Sequence, residues 1–168
     1  LNQAAEGLNL SLIGAPEDVY RLPADGVDPR PFGKDDPCYL QYSSGSTRFP
    51  LGVDIPQRAL MGNCHAIARF GLAARAGDRC VSWLPLYHDM GLVGFMLTPL
   101  LTQLSVDYLA TRDFARRPLQ WLALLTRFGG SLSYSPTFGY DLCARRAGEA
   151  KSLSFDLGNW RAAGVGGD

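Results

Sequence analysis

The residues with the clearest chemical potential stand in one stretch, Tyr39-Leu40-Gln41-Tyr42-Ser43-Ser44-Gly45-Ser46-Thr47-Arg48-Phe49-Pro50-Leu51-Gly52. An apolar run from Cys38 to Tyr42 gives way to four hydroxyl residues around a glycine, and a proline and a second glycine close the turn. Ser and Thr hydroxyls donate hydrogen bonds, and Gly45 removes the Cβ that would keep a ligand off the backbone. Successive N–H groups in such a turn form an anion-binding concavity, so the chemistry predicted is the holding of a phosphate chain. Taken alone, the stretch fits an ordinary Ser/Gly-rich surface loop equally well. Two other loop types are excluded by spacing. The Walker A pattern G-x-x-x-x-G-K-[ST] is not met, and neither Ser44 nor Ser46 has the flanking glycines of a G-x-S-x-G nucleophile elbow.

A second chemical cluster is Trp83-Leu84-Pro85-Leu86-Tyr87-His88-Asp89-Met90-Gly91. Here an apolar strand runs into a proline turn carrying Tyr, His and Asp. In an open α/β sheet, ligands sit beyond the carboxyl ends of the strands, where this cluster would lie. His88 can hold charge or donate hydrogen bonds near neutral pH, which suits it to a substrate carboxylate. Asp89 is better read as the N-cap of the following helix.

The elements that must position these residues follow from periodicity. Residues 1–37 are rich in Gly and Pro and read as a strand (Asn9 to Ile13) with a long connecting loop. Residues 38–168 read as one α/β subdomain. It starts with a central strand ending at Tyr42 and a short strand from Gly52 to Ile55. Pro56 then opens a helix with Leu60, Cys64, Ile67, Ala68 and Leu72 on its apolar face, ending near Gly71. A buried strand covers Cys80 to Leu84, an apolar helix runs from Met90 to about Gln103, and a strand follows from Ser105 to Ala110. Asp113 to Arg117 reads as a charged turn, with Arg112, Arg116 and Arg117 solvated. Next come a helix from Pro118 to Arg127, with Leu119, Leu122, Ala123 and Leu125 inward, and a strand from Ser131 to Tyr134. A helix from Phe138 to Ala147 and a last strand from Arg161 to Val165 complete the series. Strands alternating with helices predict an α/β fold, with a mostly parallel sheet flanked by helices.

Composition narrows the function further. The 168 residues carry 16 Lys and Arg against 16 Asp and Glu, so no global field attracts nucleic acid or an anionic membrane surface. The apolar run from Leu92 to Leu104 is interrupted by Gly94, Thr98, Pro99 and Thr102 and falls short of the ~20 residues of a membrane span. No signal segment opens the chain, so a cytoplasmic protein is expected. Cys38, Cys64, Cys80 and Cys143 are widely spaced and read as buried free thiols. With only His65 and His88 beside them, no zinc site is expected. The first residue is Leu, and Gly164-Val165-Gly166-Gly167-Asp168 reads as the start of a glycine-rich loop, so a piece of a longer chain is expected.

Three stretches in this order resemble the adenylate-forming superfamily of acyl- and aryl-CoA synthetases, luciferases and peptide-synthetase adenylation domains. Tyr42 to Thr47 is similar to its phosphate-binding signature. Trp83 to Gly91 is similar to its next motif in the form carried by fatty-acid members, and Gly164 to Asp168 to the start of its first adenine-contacting loop. The resemblance runs from about residue 36 to the end. It is closest to the fatty-acyl-AMP ligases, on Arg48 and on Ser135-Pro136-Thr137-Phe138-Gly139-Tyr140-Asp141-Leu142-Cys143-Ala144-Arg145-Arg146, and to long-chain fatty-acyl-CoA synthetases.

The resemblance implies a subdomain of the large N-terminal domain of an enzyme that joins a fatty acid to ATP with Mg2+. Such an enzyme releases pyrophosphate and passes the acyl group to an acyl carrier protein or to coenzyme A. By the same resemblance Ser43, Ser44, Gly45, Ser46, Thr47 and Arg48 hold the β- and γ-phosphates. His88 lies beside the carboxylate, and Leu92, Phe95, Met96, Tyr134, Thr137 and Phe138 line an acyl tunnel. Gly166, Gly167 and Asp168 approach the adenine. Leu51 departs from the pattern, standing where many members have a lysine, and it cannot donate a hydrogen bond. The superfamily's magnesium-binding, ribose-binding, hinge and catalytic-lysine elements would lie beyond residue 168, so this chain alone is expected to be unable to complete adenylation. Two rival readings are a fatty-acyl-CoA synthetase and a non-catalytic nucleotide- or acyl-binding module.

Overall fold

The computed structural model describes residues 6–7, 14–23, 26, 30–42, 50–150 and 153–166. The chain divides into two units, Leu1–Phe32 and Gly33–Asp168. In the first, a single helical turn, α1 (Pro16–Val19), starts where the Ala15 N–H donates to Asp18 Oδ2 over 2.9 Å. The strand expected at Asn9 to Ile13 lies outside the described residues. The rest of the fold belongs to the second unit.

Its first strands, β1 (Pro37–Tyr42) and β2 (Gly52–Pro56), pair antiparallel as a ribbon in which Tyr42 faces Gly52. This corrects the expectation that β1 is the central strand. The parallel sheet is built instead from β3 (Arg79–Ser82), β4 (Ser105–Tyr108), β5 (Leu132–Ser135) and β6 (Ala162–Val165), in the order β4-β3-β5-β6. The sheet is parallel throughout and has helices in its crossovers, as the alternating pattern predicts.

Helix α2 (Gln57–Ala66) begins after Pro56 and buries Leu60 and Cys64. It continues as a π-helical turn, Ile67–Gly71, closed by Leu72 N–H donating to Ile67 O over 2.7 Å. Met90–Leu97 is also π-helical and runs into α3 (Thr98–Thr102). Residues Thr111–Arg116 form a helix, α4, where a charged turn was expected, because Phe114, only 1 % exposed, anchors it to the core. In α5 (Leu119–Phe128) the expected Leu119, Leu122 and Leu125 pack into or against the core; Trp121 joins them, and Ala123 points outward. Helix α6 (Thr137–Glu149) follows β5. Cys64, Cys80 and Cys143 are buried free thiols, whereas Cys38, on the ribbon, is exposed.

Aromatic rings fill the core on one face of the sheet. Trp83 stacks on Phe114 with centroids 3.8 Å apart, and Trp121 packs edge-on against Trp83, Phe114 and Trp160. Such contacts contribute about 0.5–1.5 kcal/mol each beyond the area they bury. The Trp121 indole N–H donates to Ser133 Oγ over 2.9 Å, and Ser133 Oγ donates to the Val81 carbonyl, tying α5 to β5 and β5 to β3.

At the amino ends of the strands a part-buried ion pair closes the fold. Asp78, its side chain 6 % exposed, accepts from Arg161 Nε at 3.0 Å, Ser131 Oγ at 2.7 Å and the Arg75 N–H at 2.7 Å. Arg161 also donates to the carbonyls of Leu72 (2.9 Å) and Ala73 (3.0 Å). The Arg161 hydrogen bonds, helped by Ser131 and the Arg75 N–H, hold the Asp78 carboxyl down from 3.8 to about 2 despite its burial. A carboxylate depressed on folding contributes stability above its unfolded value, here roughly 2 kcal/mol, which is lost as pH falls through about 2. Urea unfolding measured between about pH 5 and pH 2 should therefore show a falling midpoint that Asp78→Asn flattens. An unchanged slope in the variant would mean that Asp78 contributes nothing to the acid sensitivity.

Candidate active site

Strands β4 and β5 flank β3 on opposite sides, so the chain reverses its lateral direction at β3. The carboxyl ends of strands at such a switch point open a crevice. The residues there are those that leave β3, β4 and β5. Trp83, Leu84, Pro85, Thr111, Pro136 and Phe138 help line a cavity of about 310 Å³. Thr111 Oγ1 donates to the Trp83 carbonyl over 2.9 Å, joining the segments after β3 and β4. A second cavity, about 720 Å³, lies between the ribbon, α2 and the Met90–Leu97 helix, with Tyr39, Gln41, Asn63, Ile67, Val93 and Tyr134 in its wall. His88 and Met90 line both cavities.

The turn carrying His88 is held by its own backbone. The His88 N–H donates to Pro85 O at 3.2 Å, and the Leu92 N–H donates to His88 O at 2.8 Å. Gly91 lets the turn close: a Cβ there would sit 2.2 Å from Pro85 O. Asp89 Oδ1 accepts from the Met90 N–H at 2.7 Å, the capping role expected of it. The same oxygen lies 2.7 Å from His88 Nδ1. The Met90 N–H also donates to His88 Nδ1, at 3.3 Å. Both contacts hold the Nδ1 edge of the ring within its own turn, which leaves Nε2 as the nitrogen available to a ligand.

Burial raises the phenol of Tyr39 and, with a lesser contribution from Cys80, that of Tyr134, so both remain neutral hydrogen-bonding groups in the wall. Burial likewise pushes the Cys80 thiol up to about 12 and that of Cys143 to about 11, which keeps them unreactive. Among the described residues no three His, Cys, Asp or Glu side chains gather as a metal site, and no helix is long and apolar enough to cross a membrane.

The residues singled out in the sequence are distributed unevenly. Ser43, Ser44, Gly45, Ser46, Thr47 and Arg48, and Gly167 and Asp168, lie outside the described residues. Gly166 follows β6 on the same side of the sheet as His88. Tyr134 lines the larger cavity and Phe138 the smaller. Phe95 is buried against Tyr134, with ring centroids 5.6 Å apart. Leu92 is half-buried, Met96 and Thr137 are exposed, and none of the three lines either cavity. Sequence reasoning overlooked Tyr39, Gln41 and Asn63. Alternation in β1 puts Tyr39 and Gln41 on one face of the ribbon, a signal that was available.

Comparison with known proteins decides the family. The family model described as "AMP-binding enzyme" matches residues 4–168. The chain belongs to the AMP-binding enzyme family. A protein of Caulobacter vibrioides with the provisional name acyl-CoA synthetase is 58% identical over 134 residues, covering 80% of this chain and 23% of its own length. The medium-chain-fatty-acid–[acyl-carrier-protein] ligase TtuA of Teredinibacter turnerae is 41% identical, covering 77% of this chain and 20% of its own length. Among solved structures, one from a study of fatty acyl-adenylate ligases of E. coli and L. pneumophila is 56% identical with a TM-score of 0.81, covering 88% of this chain and 27% of that one. This AMP-binding chain thus spans about a quarter of the length of the relatives it matches.

The two glycines of the Met90–Leu97 helix give a contrast that tests the turn. Gly91→Ala must displace Pro85 and is expected to cost about 1–3 kcal/mol in urea unfolding. Gly94→Ala, whose Cβ would meet nothing within 4 Å, should be neutral or stabilising. Equal effects at the two positions would contradict this packing.

Proposed function

We propose that the chain is the nucleotide- and acyl-binding part of a fatty-acid-activating ligase. In that reaction a fatty-acid carboxylate oxygen attacks the α-phosphorus of ATP, a new P–O bond forms, and the bond to the leaving pyrophosphate breaks. A carrier-protein thiol then attacks the acyl carbonyl, forming a thioester as the bond to AMP breaks and AMP leaves. The observation that carries the reading is His88, whose Nδ1 edge is turned toward Asp89 and the Met90 N–H and which borders both cavities. Its Nε2 would hold the carboxylate against the α-phosphate, an in-line geometry that supplies most of the rate in such displacements. Ser43, Ser44, Gly45, Ser46, Thr47 and Arg48 would hold the β- and γ-phosphates, and Gly166, Gly167 and Asp168 would approach the adenine. Tyr134 and Phe138 would meet the acyl chain, with Leu92, Phe95, Met96 and Thr137 shaping the channel behind them. Mg2+ would arrive on the phosphates of ATP, as it usually does where few protein carboxylates are offered.

The structure of an L. pneumophila fatty acyl-adenylate ligase in complex with acyl adenylate and pyrophosphate, 35% identical with a TM-score of 0.78, supports this reading. Coenzyme A as acceptor is the second reading, favoured by the name of the Caulobacter relative. The reading also carries a cytoplasmic location. Fatty-acid-dependent exchange of labelled pyrophosphate into ATP, measured on the full-length protein, is the test. Exchange should be present, and His88→Ala should lower it about a hundredfold. Asp89→Asn should lower it less. Absence of exchange would refute the activation reading and leave a nucleotide-binding module.

A further inference from the structure

The opposite end of the parallel sheet carries a second cavity system that the proposed reaction does not use. A cleft of about 690 Å³ opens where β3 and β4 begin, lined by residues from α2, the loop before β3 and the turn before β4. His65 and Arg69 line it from the α2 side, Arg75 from the loop, Arg79 from the start of β3, and Ser105 from the start of β4. The charges in this wall are not balanced. Arg79 is committed to Asp107, donating to both carboxylate oxygens, one of them at 3.0 Å. Asp78, the acidic residue in the lining, is committed to Arg161. The guanidinium groups of Arg69 and Arg75 make no ion pair among the described residues, and neither does the Ser105 hydroxyl find a hydrogen-bond partner there. In a chain of zero net charge, two guanidinium groups without an ion pair among the described residues, that of Arg69 lying 5.8 Å from the Phe70 ring centroid, therefore line one concave surface together with an imidazole.

We propose that this cleft binds a phosphate-bearing small molecule. Guanidinium forks match phosphate oxygens two at a time, and two forks with a neighbouring imidazole suit a dianion better than a single carboxylate. The volume exceeds that of a bare phosphate and leaves room for the group it esterifies. The site is separate from His88 because the strands are parallel: the cleft adjoins Arg79 at the start of β3, and the turn bearing His88 follows Ser82 at its end. At about 3.3 Å per residue, that places on the order of 10 Å of strand between them. The inference rests on this geometry alone and not on the proposed reaction.

The test uses inorganic pyrophosphate as the probe, titrated at low salt and followed by isothermal calorimetry and by amide shifts in heteronuclear NMR. Shifts should centre on Arg75 to Arg79 and on Gln103 to Ser105. The exposed pair Arg69→Ala/Arg75→Ala should weaken this binding roughly tenfold or more. Arg75→Glu serves as a second variant and should weaken binding at least as much, with unfolding midpoints confirming that both proteins fold. Unaltered affinity in the folded double variant, shifts confined to Ser43 to Thr47, or no binding at all would each overturn the proposal.

Discussion

A fully buried indole N–H must find an acceptor or cost about 1–3 kcal/mol, and Trp121 is such a group. Its acceptor is a serine on β5, and that serine in turn donates to a carbonyl on β3. One donor chain therefore fixes the height of α5 over the sheet and the match of two strands that share little direct pairing. The surrounding rings inherit this placement. Tyr140 and Trp160 stack on each other beside Trp121, and Tyr140 donates to the Gly164 carbonyl over 2.7 Å, which brings β6 into the same arrangement. The Trp83 N–H, by contrast, is buried without a partner, so dispersion against Phe114 is what holds that ring.

The aromatic wall is also the floor of the crevice. Trp83 is buried just before the turn that carries His88, and its indole lies against the first turn of α6. A Cβ at Gly139 would fall 2.8 Å from the Trp83 ring and 2.1 Å from Ser135 Oγ. The missing side chain lets α6 approach closely enough for Phe138 to meet Trp83 edge-on, at 5.7 Å between centroids. Core packing and crevice shape are thus set by the same contacts, and the polar groups of the turn stand on a rigid base.

Much of this was legible in the sequence because burial imposes its own period. Leu60, Cys64, Ala68 and Leu72 recur as a helix requires, and all four are buried. The strands after residue 78 are short apolar runs between turn signals, and each is present. What failed was information that a linear pattern does not hold. In the continuously apolar run after Met90, every register buries something, so periodicity cannot separate an ordinary helix from a π-helix. Helix α4 is too short to show a period, and its single anchor, Phe114, sits among charges. Strand β1 looked central because it is apolar, yet Leu40 and Tyr42 are exposed on the outer face of a two-stranded ribbon. At the site, the chemical types of His88 and Asp89 were readable. The two cavities that meet at His88 depend on how separate segments converge.

The ribbon has a consequence for whatever the stretch between its strands binds. Tyr42 and Gly52 stand directly opposite each other, so the two ends of that stretch are brought together by strand pairing and not by a ligand. Closing a flexible loop of about ten residues costs on the order of 2 kcal/mol of chain entropy. Here folding has already met that requirement, and the β1–β2 ladder is where it is met. An anion held there, as proposed, would meet ends that strand pairing already holds together. Its affinity would then be coupled to the integrity of a hairpin that need not touch the ligand at all.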